Sequence, residues 1–196
     1  METLLAALVE EDSERDIYKE FVELMLQQTS RAKANAMTWS RLKANEIVEF
    51  SAIETLAFHM SLQLNLLEKR GFTLLFWQVK DIMVVRHGHG HGEFYLLGNL
   101  AQMVPLVEKA SSTNLLLTYP TVFPLPVANC APEVLKMAAL PFITHRSASY
   151  YSLGLLCLEL LKRINLSLDS IRRTKLFYFV ERCLKEDPNE RQCFWL

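Results

Sequence analysis

Three histidines, His87, His89 and His91, alternate with glycine in the run RHGHGHGE. Successive side chains of an extended chain point to opposite faces, so these imidazoles would share one face and could ligate Zn²⁺ or Cu²⁺. Glu93 is the one acid well placed to assist and no cysteine stands close by, so a glycine-rich hairpin tip is the expected role of this run. Asp81 is the single aspartate between residues 17 and 168. A solitary carboxylate is a poor site for Mg²⁺, which takes several oxygens, and Asp81 is expected instead as a polar residue opening a strand. His59 lies in an apolar run and His145 stands beside Arg146, neither with the Ser, Cys and Asp neighbours of a nucleophilic site. A loop that cradles phosphate needs glycines for close backbone approach, and none of the six glycines precedes Gly71. No cofactor is expected.

Apolar residues Ile17, Phe21, Leu24, Met25 and Leu26 recur at helical spacing from about Ser13 to Gln28, behind a group of acids that suits a helix N-terminus. A longer helix is expected from Asn45 to Lys69, apolar on most faces and therefore buried, and stopped by Gly71. The runs Phe72–Trp77, Ile82–Val85 and Phe94–Leu97 predict a small β-hairpin with its tip near Gly88–Gly92. Residues 99–130 show no period and read as irregular. Helices return at Pro132–Met137, Ala148–Arg163 and Ile171–Leu184. The fold class is therefore mainly α, of the α+β kind.

Composition narrows the classes of function. The 196 residues are 51% hydrophobic, enough for one sizeable core. Lys and Arg number 21 against 22 Asp and Glu, which leaves no broad basic field for nucleic acid or an anionic membrane. No membrane span is expected, the apolar runs being too short. Cys130, Cys157, Cys183 and Cys193 are scattered without a CxxC pair and read as free thiols. With no basic n-region before an apolar stretch, the N-terminus does not read as a signal peptide, and a cytoplasmic location is expected.

Three stretches of the C-terminal half, in order and at matching separation, resemble the protein kinase superfamily. NCAPEVLKM carries an APE triplet at Ala131, Pro132 and Glu133; SASYYSLGLLCLELL is similar to the long central helix; FVERCLKEDPNER is similar to the CLxxDPxxR stretch. The resemblance implies a kinase C-terminal lobe over residues 41–196, with residues 1–40 a helical extension and the upper lobe missing. LLFWQVKDIMVV then stands in the catalytic-loop place and LLGNLA in the place of the metal-binding IDFGLA segment. That alignment puts Phe76 where the catalytic base belongs, Leu97 where the metal-binding Asp belongs, and Asp81 where a second metal ligand belongs. Phosphoryl transfer relies on carboxylates that accept a proton and hold Mg²⁺, which Phe and Leu cannot do. Sliding the register does not help, given one aspartate in the span.

The resemblance also implies an ion pair between Glu133 and Arg191, whose partners are both present. Ser149 replaces the Asp that in the family holds the catalytic-loop backbone, and the anchor is expected to be lost with the loop it served. A pseudokinase acting as a scaffold or allosteric partner is the resulting expectation, with an active kinase or an adaptor as its protein partner. Similarity to the PEAK and Pragmin group implies a homodimer made by helices. Two other readings stay open: a truncated or divergent kinase that binds nucleotide in a fuller form, and a helical interaction protein of other ancestry. TYPTVFPLP, residues 118–126, reads as an ordered proline-rich connector in preference to an exposed docking site.

Overall fold

A computed structural model describes residues 37–38, 48–86, 93–97, 103–106, 114–117, 129–136, 142–191 and 195. The helical run at 13–28, the histidines at 87–91, the proline-rich run at 118–126 and Cys193 lie outside these residues.

The described chain is mixed α and β, with four α-helices and seven short strands. In order they are β1 (Met37–Thr38), α1 (Phe50–Lys69), β2 (Phe72–Leu74), β3 (Ile82–Arg86), β4 (Glu93–Leu97), β5 (Met103–Pro105), β6 (Asn114–Leu117), α2 (Pro132–Leu135), β7 (Phe142–His145), α3 (Ala148–Arg163) and α4 (Lys175–Cys183).

Helix α1 forms because Ile53, Leu56, Ala57, Met60, Leu64 and Leu67 recur at three- and four-residue spacing, and all six are buried. It starts five residues later than the periodicity suggests. Glu49 is extended (φ −86°, ψ 153°) with no side-chain cap, so the chain enters the helix only at Phe50. Its end lies at the expected place: Gly71 adopts φ 77°, a left-handed conformation that glycine tolerates, while its N–H bonds to Glu68 O. Helix α3 spans the expected residues and is a core helix, with Leu153, Leu156, Cys157 and Leu161 all fully buried. Gly154 lets α4 come close, since a Cβ there would meet Cys183 and Leu184 at 3.0 Å. The stretch expected as one helix at 171–184 is a 3-10 turn at Asp169–Ile171 followed by α4, which Thr174 caps by accepting from Phe177 N–H.

The hairpin exists as an antiparallel β3–β4 pair, in register from Ile82↔Leu97 to Arg86↔Glu93. It is larger than two strands: β1 pairs with β3, so residues inside the expected N-terminal extension contribute to the sheet of the main body. The region read as irregular contains β5 and β6, which pair with β2 and β7 respectively. Conversely, the apolar run 72–77 is a strand only as far as Leu74. Strands of three or four residues show no period of their own; distant partners decide them.

One apolar core lies among α1, α3, α4 and the hairpin, including Trp77, Tyr95 and Phe179. Trp195 closes over it, its ring 5.2 Å from Phe179 and 5.9 Å from Phe58. A second, smaller core joins Leu75 and Phe76 to Val104, Cys130, Ala131, Val134 and Ala148.

Candidate functional site

The segment Thr73–Trp77 is apolar where the kinase alignment needs acids, and its side chains point into the protein. Phe76 is 1% exposed and belongs to the second core, against α2 and the start of α3. Burying such a ring contributes about 2 kcal/mol. Leu97 is 7% exposed and belongs to the first core. Phe76 and Leu97 thus pack into different apolar cores. Asp81 ends a 3-10 turn, Val79–Asp81, directly before β3 and is itself buried.

Neutral hydrogen bonds fix this segment to α3. Trp77 N–H donates to Ser152 Oγ at 2.7 Å, and its indole N–H donates to Ser149 O at 3.1 Å. The Thr73 hydroxyl donates to Ser149 Oγ (3.3 Å), which in turn donates to Arg146 O (2.9 Å). From the other side Asn129 donates its amide to Trp77 O at 2.7 Å. Ser149 does not take over the carboxylate's hold on the backbone: its hydroxyl meets the Thr73 hydroxyl and its carbonyl the Trp77 indole, while Ser152 accepts the Trp77 backbone N–H. The Ser152 hydroxyl suffices because the Trp77 backbone N–H is an uncharged donor. Ser149 and Ser152 are small polar residues three apart in an apolar helix, and that spacing was the available signal for the missed Ser152.

Glu133 and Arg191 are brought together across 58 residues. The guanidinium meets both carboxylate oxygens, Nη1 on Oε1 and Nη2 on Oε2 at 3.0 Å. Nε donates to Lys185 O (2.7 Å) and Nη2 also to Glu186 O (2.9 Å), and the Tyr151 ring lies 4.7 Å from the guanidinium carbon. Arg191 is 4% exposed, so every one of these partners offsets desolvation. Pro132 at the first position of α2 sets the direction from which Glu133 arrives.

A third seam ties α1 to the outer edge of β4. Gln63 donates to Tyr95 O at 2.9 Å and accepts from Leu97 N–H at 3.0 Å, as a neighbouring strand would. His59 Nδ1 accepts from Tyr95 N–H at 3.3 Å, and its ring stacks on Phe94. Burial pushes its pKa down to about 4, so it serves as a neutral acceptor. At the end of the same helix Tyr150 donates its hydroxyl to Glu68 Oε2. Burial raises the Glu68 pKa against the opposing effects of that bond and of Arg146.

Cys130 is buried and its thiol is pushed up to about 11, far from a nucleophile. Among the described residues no three His, Cys, Asp or Glu side chains gather as metal ligands, and no helix is long and apolar enough to cross a membrane. No protein-family model matches the chain, and no curated protein matches it either.

Proposed function

We propose that this chain is a catalytically inactive, kinase-like binding protein that acts in the cytoplasm as a scaffold or allosteric partner. The observation that carries the reading is the segment Thr73–Trp77. Its apolar side chains are packed into core, Ser152 and the Ser149 carbonyl tie Trp77 to α3, and Asn129 holds the Trp77 carbonyl from the other side. Chemistry on a phosphate needs carboxylates facing an accessible substrate, whereas this arrangement supplies rigidity. The Glu133–Arg191 pair supports the same reading, since it stabilises a helical body without requiring catalysis. The partner is another protein, either an active kinase or an adaptor, or a second copy of the chain.

A thermal-shift titration with Mg²⁺ and ATP tests the proposal. An inactive scaffold gives no shift. A kinase retaining nucleotide binding would be stabilised by about 2.7 kcal/mol at a hundredfold excess over its dissociation constant, and such a shift would overturn the reading. Affinity purification of the full chain with mass spectrometry then names the partner.

A further inference from the structure

Ser147 has one hydroxyl hydrogen and two acceptors within its reach. Its Oγ lies 2.7 Å from the carbonyl oxygen of Pro188 and 2.6 Å from Nδ1 of His145. The Ser147 backbone N–H lies 3.2 Å from the same nitrogen. A carbonyl oxygen can only accept. When the hydroxyl donates to Pro188, its short contact with His145 is a hydrogen bond only if Nδ1 carries a proton and donates to Oγ. When Nδ1 is bare it takes both the hydroxyl hydrogen and the backbone N–H, and Pro188 loses its donor. The two arrangements exclude one another, and the proton on Nδ1 selects between them.

We propose that His145 and Ser147 form a proton-operated latch on the segment 188–191. Protonation of His145 turns the Ser147 hydroxyl onto the Pro188 carbonyl, and loss of that proton draws the hydroxyl back to the imidazole. The exchange breaks one hydrogen bond and makes another, with the proton entering and leaving from solvent at the partly exposed His145. Ser147 itself is 1% exposed, so water does not compete for its hydroxyl. The segment matters because it ends in Arg191, whose guanidinium holds Glu133 and with it α2. The latch is independent of any kinase ancestry.

The charges facing His145 set the range in which the latch works. Arg146 lies on its own turn, Glu133 faces it from α2, and Asp187 and Arg191 face it from the C-terminal turn. Burial is the largest influence, and with the two arginines it outweighs the two carboxylates, so the imidazole titrates below its usual range. At neutral pH the imidazole is therefore uncharged, and the Ser147 backbone N–H aimed at Nδ1 favours hydrogen on Nε2, which leaves the hydroxyl resting on His145. The latch closes on Pro188 only as pH falls below about 6.5.

Nuclear magnetic resonance on the intact, isotope-labelled chain tests this directly. The His145 ring nitrogens and the Pro188 carbonyl carbon are followed from about pH 8 down to the onset of acid unfolding, across the histidine range. The carbonyl signal should move downfield with the same midpoint as His145, below about 6.5. In Ser147→Ala the histidine should still titrate while the Pro188 response disappears. The latch is overturned if Nδ1 is protonated at every pH, if His145 does not titrate before unfolding, or if Pro188 does not follow it. A Pro188 response that persists in Ser147→Ala overturns it too. Should that variant fail to fold, the Nδ1 state and the shared midpoint in the unmodified chain decide the matter alone.

Discussion

Two regions of this molecule hold distant pieces of chain against the same helix by opposite means. The segment Thr73–Trp77 meets α3 through neutral groups: two serine hydroxyls, a carbonyl and an indole. The clasp between α2 and the C-terminal turn uses a full charge on each side, with Arg191 buried over Tyr151 of α3. Neutral hydrogen bonds individually add about 1 kcal/mol and do not respond to pH, while a buried ion pair is costly to disrupt because either half alone is stranded. Charge thus survives where it is fully partnered and structural. It is missing where the kinase alignment would require it for chemistry.

The largest effect is expected at the clasp. Arg191→Ala should cost about 3 to 5 kcal/mol in chemical denaturation, because Glu133 loses its counter-charge while Lys185 O and Glu186 O lose their donors. Replacing both partners, Glu133→Leu with Arg191→Met, should cost distinctly less than Arg191→Ala alone, since no unpaired charge remains. A double variant as unstable as the single one would mean that the arginine acts through its carbonyl contacts and not through the pair.

The next effect belongs to His59, a neutral group whose neutrality depends on pH. Its pKa falls from 6.5 to about 4 on folding, so the folded state disfavours the protonated form. The associated stability is fully present above pH 6.5 and is lost as pH drops through about 4, amounting to about 3 kcal/mol. His59→Gln can still accept from Tyr95 N–H and should flatten the acid limb of the stability curve. An unchanged acid limb would assign it to other groups, His145 and the carboxylates first.

How far these features can be read from the chain follows the range of the interactions involved. Helix α3 was legible to the residue because its apolar period is local, and the β3–β4 hairpin because its two runs flank a glycine-rich connector. Glu133 and Arg191 could be paired only through the family resemblance, since nothing in either local sequence indicates a partner 58 positions away. Strands β5, β6 and β7 were invisible for the same reason: their pairing is non-local and each is too short to show alternation. Ser149 was read by analogy with a carboxylate and so as a loss. The compensation lies one turn along, at Ser152, and depends on Trp77, whose position no spacing rule gives.

Ser152→Ala sharpens the neutral side. It leaves the Trp77 N–H buried without an acceptor, a loss of about 1 to 3 kcal/mol. Trp77 fluorescence and near-ultraviolet circular dichroism should change with it, whereas Arg191→Ala should leave the tryptophan environment largely as it was. Equal spectral change in both variants would show that the two regions are one cooperative unit and erase the distinction between them.

The smallest effect is expected from an ion pair that resembles the clasp in chemistry alone. Arg163 bonds Glu159 at 2.6 Å, one turn apart on α3, with side chains 49% and 38% exposed. Water screens both charges before and after the substitution, and holding two long side chains together costs rotamer freedom. Arg163→Ala should therefore shift stability by no more than about 0.5 kcal/mol, and added salt should shrink even that. Arg163 and Arg191 offer the same guanidinium to the same kind of carboxylate, so a large gap between their variants isolates burial as the cause. If Arg163→Ala proved as damaging as Arg191→Ala, burial would not be what makes the clasp strong, and the contrast between the charged and neutral regions would lose its physical basis.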